Sequence, residues 1–205
     1  MKFLFVRHGE TDWNVKKKIQ GKTDVPLNKT GVQQAGALAA KLVEEGIKVA
    51  HIYTSPQLRA VKTAEILAEA LEVKCRCKEG LREMDLGLWE GKNWGDIRRE
   101  YGEEYLYWNA HRRYTKTPEG ECYNDVLKRT LEALEEIREE ETEDVLVVTH
   151  SAVVMALFCY IDEEPFEEEI MITRYKLENT EVAEVDEEKI KLAWKRFSTF
   201  HLESN

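Results

Sequence analysis

The sequence predicts an α/β domain. Two short apolar runs lead straight into histidine: residues 3–6 into Arg7-His8-Gly9, and residues 145–148 into Thr149-His150. Four consecutive apolar residues suit a strand covered on both faces, and a sheet covered on both faces lies between layers of helices. The third observation is rhythm. Between the two runs, apolar stripes at three- and four-residue spacing alternate with further short strands.

The first strand, residues 3–6, is followed by a loop over 15–28 that carries Lys16-Lys17-Lys18, Gly21, Pro26 and Asn28. Thr30 is expected to cap a helix with Ala35, Leu38, Ala39, Leu42 and Val43 on its apolar stripe, ending at Gly46. Residues 49–53 are the second strand. Pro56 is placed to start a helix over 57–71 that buries Leu58, Val61, Ala64, Leu67 and Leu71. Residues 73–78 form a third strand, and 81–91 break the alternation. Residues 92–120, rich in Trp, Tyr and charge at no clean period, read as a lid-like insertion of short helices over the site. A long helix follows to about Glu141 with Tyr123, Leu127, Leu131, Leu134 and Ile137 inward. Then come the strand 145–148 and a core helix over 151–161. Residues 172–177, 181–185 and 190–194 read as alternating strands, and 198–205 as a frayed end.

Composition bounds the function. A chain of 205 residues, 42% hydrophobic and 34% charged, suits one soluble globular domain, 1–205. A formal net charge of −10 argues against nucleic acid and anionic membranes as partners, so a phosphate ligand needs a locally basic pocket. The apolar run after Met1-Lys2 is too short for a targeting segment, and residues 152–161 are too few to span a bilayer. A cytoplasmic protein is expected. Cys75, Cys77, Cys122 and Cys159 lack paired metal-ligand spacing, so reduced thiols and no metal site are expected. The state of assembly is open, a homodimer among the alternatives.

A strand that empties into Arg7-His8-Gly9 suits a phosphoryl group. His8 is held by a rigid element, Arg7 offers planar donors for phosphate oxygens, and Gly9 lets backbone approach a ligand. Imidazole is near half neutral at about pH 6.5 and can act as a nucleophile without a strong base. The alternative is a strand end with a solvated Arg-His pair. Arg59 falls in the first turn of its helix, where unpaired backbone amides favour an anion. His111, Arg112, Arg113 and Lys116 make the insertion locally basic, and contact with the rest of a substrate competes there with a solvated loop.

Arg7-His8-Gly9-Glu10-Thr11 with Asn14, then Gln20-Gly21 and Asp24-Val25-Pro26-Leu27-Asn28, resembles the opening signature of the histidine phosphatase superfamily, which includes the cofactor-dependent phosphoglycerate mutases. Ser55-Pro56-Gln57-Leu58-Arg59-Ala60 resembles its second signature and Leu81-Arg82-Glu83-Met84-Asp85-Leu86-Gly87 its third. His150 matches the second active-site histidine, and Asn179-Thr180 a late motif. Two positions depart from the pattern. Cys122 stands where serine is usual after Gly120-Glu121, and Ser151-Ala152 replace a glycine, either narrowing the pocket wall or giving Ser151 a hydrogen bond to phosphate.

The resemblance implies a three-layer α/β/α sandwich with a mainly parallel sheet, phosphoglycerate mutase-like. It implies His8 as nucleophile, Glu83 as proton donor and acceptor, and Arg7, Arg59 and His150 around the phosphoryl oxygens, with no cofactor or metal. Asn14, Gln20, Gly21, Ser151, Arg112 and Arg113 are the expected substrate-binding residues. The expected activity is hydrolysis of a small phosphomonoester through a phosphohistidine. The alternatives are a cofactor-dependent phosphoglycerate mutase and, further off, a non-catalytic phospholigand-binding protein. The sequence around Glu83, including Trp89-Glu90-Gly91, looks more like the phosphatases.

Overall fold

Sixteen elements alternate along the computed structural model, which describes residues 1–202, with side chains to 199. In chain order they include β1 (Lys2–Arg7), α1 (Asp12–Val15), α2 (Lys29–Glu44), β2 (His51–Thr54), α3 (Leu58–Leu71), β3 (Lys74–Cys77), α4 (Trp94–Ala110) and α5 (Tyr123–Glu140). They continue with β4 (Val145–Thr149), α6 (Ser151–Ile161), α7 (Glu168–Ile170), β5 (Val182–Asp186) and α8 (Glu187–Leu202). The sheet runs β3-β2-β4-β1-β5, parallel throughout except that β5 is antiparallel to β1.

The expected layering is present and follows from strand alternation. Phe3, Phe5, Val145 and Val147 join one core with α5, α6 and α8, whereas Val6, Leu146 and Val148 join another with α2 and α3. Both central strands are buried on both sides, which is why they read as unbroken apolar runs.

Several local readings change. Asn28 caps α2, its Oδ1 accepting from Gly31 N–H at 2.8 Å, so the helix starts before Thr30. Val43 is left exposed on α2. On α3 the buried stripe is Arg59, Ala60, Thr63, Ala64, Leu67 and Ala68, and Leu58 is 51% exposed because the helix is rotated to turn Arg59 inward. Residues 190–194 are helical in α8, since Ile190, Ala193 and Phe197 are the buried positions and their spacing is helical, not alternating. Met171–Tyr175 is likewise a π-helical turn with Met171 and Tyr175 inward, not a strand. Residues 198–202 continue α8 and do not fray; 203–205 lie outside the described residues.

Residues 92–120 supply two short helical stretches joined across a kink, together α4, and a turn-rich return. The kink sits at Gly102, whose φ of 33° and ψ of −104° only glycine tolerates readily. Its rings pack on Trp89: Trp108 meets Trp89 edge-on at 5.1 Å and stacks on Trp94 at 5.9 Å. Among the described residues, no helix is long and apolar enough to cross a membrane.

Candidate active site

Register brings the two histidines together. Arg7 pairs with Thr149 and Thr54 with Val148, so the carboxyl ends of β1, β4 and β2 lie level. His8 N–H then donates to Thr149 O at 3.1 Å, and Ser55 N–H to Val148 O at 3.0 Å. The His8 and His150 rings lie 5.2 Å apart, both buried. The main chain at Arg7 and His8 is held from the other side too: Thr180 N–H donates to Arg7 O at 2.9 Å and Asn179 Nδ2 to His8 O at 2.8 Å.

His8 Nδ1 lies 2.7 Å from Gly9 O. A carbonyl only accepts, so the proton sits on Nδ1 and Nε2 keeps its lone pair. Burial, then the charges of Arg59 and Arg7, hold the imidazole pKa well below its ordinary value. His8 is therefore neutral, with the lone pair of Nε2 free. Gly9 serves differently from expectation. A side chain there would meet Gly31 O at 2.5 Å, so the glycine admits the first turn of α2 and not a ligand.

Both arginines are buried. Arg7 Nη1 donates to Leu177 O at 2.7 Å, while Arg59 Nη1 and Nη2 donate to Thr23 O and Gly21 O at 2.9 and 2.8 Å. Burial lowers the Arg59 pKa to about 10, against the opposing charges of Glu83, Asp24 and Glu90, so the group stays charged at neutral pH. One amide of the first turn of α3 already meets an anion of this chain. Asp24 Oδ1 accepts from Leu58 N–H at 2.7 Å and fills that place. Glu83 Oε1 accepts from Met84 N–H at 3.0 Å, and burial raises its pKa despite Arg59 and Arg7.

His150 is also held neutral, by burial and then by the charges of Arg59, Arg129 and Arg7. Its Nε2 lies 2.7 Å from Ser55 Oγ. Arg7 Nε, Arg59 Nε and His150 Nδ1 are among the buried side-chain nitrogens that have no hydrogen-bond partner among the described residues.

A cavity of about 340 Å³ opens on this cluster. Arg7, Asn14, Gln20, Gly21, Glu83, Arg112 and Ser151 line it, as expected; His8, Arg59 and His150 are buried and do not. Arg112 packs 4.9 Å over Trp108 and lies 3.6 Å from Glu168. Arg113 does not reach the cavity. It points the other way, over Tyr114, Tyr160 and Phe166, in a separate cleft.

Trp94, Trp108, Tyr123, Lys18, Lys176 and Glu168 also line the cavity and had no assigned role in the sequence. The aromatic insertion and the lysine run were the available signals. Gln57 was missed altogether: Oε1 accepts from Glu83 N–H at 2.7 Å, and Nε2 donates to Gly21 O at 2.9 Å. At the start of α5, Cys122 and Asp125 form a reciprocal capping box, in which Asp125 Oδ2 accepts from Cys122 N–H at 3.1 Å. Among the described residues, no group of three or more His, Cys, Asp or Glu is placed to hold a metal.

Imidazoles paired at adjacent strand ends, with guanidinium groups closing in around them, make this a phosphoryl-handling enzyme of the histidine-dependent kind. Comparison with known proteins gives the family. The family model of the histidine phosphatase superfamily (branch 1) matches residues 3–199, and the chain belongs to it. It is 35% identical over 158 residues to "Phosphoglycerate mutase-like protein 4" of Arabidopsis thaliana, covering 76% of this chain and 68% of that protein. It is 32% identical over 160 residues to "Phosphoserine phosphatase 1" of Hydrogenobacter thermophilus, covering 78% and 75%. Among solved structures, "Bacillus stearothermophilus YhfR" superposes with a TM-score of 0.79 at 34% identity, over 90% of each chain.

Proposed function

We propose that the chain hydrolyses a small phosphomonoester through a phosphohistidine on His8. The observation that carries this reading is that Arg7, Arg59 and His150, close enough together for both guanidinium charges to act on the imidazole, each leave a buried nitrogen without a partner. Buried donors without partners are rare, and an oxyanion with several acceptor oxygens satisfies all three together.

In the first step His8 Nε2 attacks phosphorus, forming the N–P bond as the P–O bond to the alcohol breaks. Glu83, kept protonated further up the pH scale by burial, gives its proton to the departing oxygen. In the second, the Glu83 carboxylate takes a proton from water, whose oxygen forms the new P–O bond as N–P breaks. Arg7, Arg59 and His150 hold the equatorial oxygens, where negative charge must be stabilised. A phosphate dianion beside His150 raises the imidazole pKa against the lowering by burial, so the ring gains a proton as the ligand enters.

Arg112, Asn14, Gln20 and Ser151, with Trp94 and Trp108, are placed to take the alcohol part of the substrate. Likeness to a phosphoserine phosphatase supports a small phosphorylated metabolite, and four free cysteines support a reducing, cytoplasmic setting. The mutase alternative has less support.

The test is phosphate release from a panel including phosphoserine and 3-phosphoglycerate, beside His8→Ala. Release should fall at least about 1,000-fold in the variant. Isomerisation of 3-phosphoglycerate without release would replace this reading with the mutase.

A further inference from the structure

Ser55 is fully buried at the end of β2 and takes no part in the chemistry above. Its main chain is fixed to β4 by the bond to Val148 O, and its Oγ lies 2.7 Å from His150 Nε2. Gln57 N–H donates to that same oxygen at 3.3 Å. The competing acceptor for the hydroxyl proton, Gln57 Oε1, is 3.4 Å away and already receives Glu83 N–H at 2.7 Å.

A neutral imidazole carries one proton, and its place decides what the ring can do. With the proton on Nε2, His150 Nδ1 would be a buried lone pair beside phosphoryl oxygens, acceptor facing acceptor. With the serine hydroxyl donating to Nε2, the proton sits on Nδ1, the atom that has no protein partner.

We propose that Ser55 is a positioning residue that fixes His150 as its Nδ1–H tautomer, so that the ring meets the phosphoryl group as a donor. The phosphoryl half of this rests on the function proposed above; the tautomer does not. A hydroxyl suits both states of the ring. It donates to Nε2 while the imidazole is neutral, and turns to accept from Nε2–H once the imidazole is charged.

The experiment is ¹⁵N NMR of histidine-labelled full-length protein near neutral pH, with His150 assigned by loss of its signals in His150→Gln. The expected spectrum shows a protonated Nδ1 and an unprotonated, hydrogen-bonded Nε2. Ser55→Ala should lose that preference and weaken inhibition by inorganic phosphate about tenfold, the loss of one ordinary hydrogen bond. Ser55→Thr, which keeps the hydroxyl, should retain the tautomer. An Nε2–H signal in the unsubstituted protein overturns the proposal, as does an unchanged tautomer in folded Ser55→Ala. Should Ser55→Ala not fold, the spectrum of the unsubstituted protein decides alone. Failure to hydrolyse any phosphomonoester would sink the proposed function and leave the tautomer to the spectrum.

Discussion

Glu83 and His8 are shifted in opposite directions, and both shifts follow first from burial. In the proposed mechanism Glu83 must be protonated to release the alcohol, and its raised pKa carries that form to higher pH; activity should fall as pH rises through it. His8 must be neutral to attack, and its lowered pKa keeps it so well into acid. A pH–rate profile whose alkaline limb lies above the ordinary carboxylate range is expected. Glu83→Gln should erase its alkaline limb along with most of kcat. The same substitution should raise stability at neutral pH, because the stability that Glu83 contributes is present below pH 4.5 and is lost as pH rises through its folded pKa. Thermal melts of both proteins at pH 5 and pH 8 check the sign. His8, Arg7 and His150 were legible in the sequence because each follows an apolar run whose burial fixes its direction. Glu83 was legible only through resemblance, being one acid among 40. Gln57 was hidden, because its partners lie 26 and 36 residues away and no local pattern marks them.

At the scale of elements, the strands around the site were readable and the insertion was not. Strands buried on both faces leave an unbroken apolar signature, whereas α4 buries rings against other rings, without a period. The tail misled for a related reason: Ile190, Leu192 and Trp194 mimic alternation, and only Ala193 and Phe197 complete the helical stripe. The kink at Gly102 sets the angle at which Trp94 and Trp108 reach the cavity. Gly102→Ala forces a side chain into that backbone conformation and should cost about 1–3 kcal/mol. Urea unfolding would measure the loss, and near-UV circular dichroism the disturbed tryptophan pair. KM should rise more than kcat falls, since the wall that moves binds the alcohol.

The molecule as a whole repels what its cavity is built to hold. Its net charge of −10 works against a phosphate dianion at long range, while Arg7, Arg112, Lys18 and Lys176 line the cavity. Lys18 and Lys176 are the cavity's two lysines, and we expect them to act as the local counterweight. Changing both to alanine should raise KM severalfold in dilute buffer, and much less at about 1 M salt, where the screening length is roughly 3 Å. Equal effects at both salt concentrations would mean that the lysines act by contact alone.

The grip of residues 149, 179 and 180 on the main chain at Arg7 and His8 carries a consequence for biosynthesis. β1 lies in the middle of the sheet, yet both of its neighbours, β4 and β5, are translated some 140 residues or more after it. His8 thus leaves the ribosome long before either neighbouring strand can hold it. A nascent chain stalled short of β5 has His8 but not the clamp on its carbonyl. Catalytic competence should arrive late and in one step, when the last strand pairs, and such long-range closure also makes for slow folding.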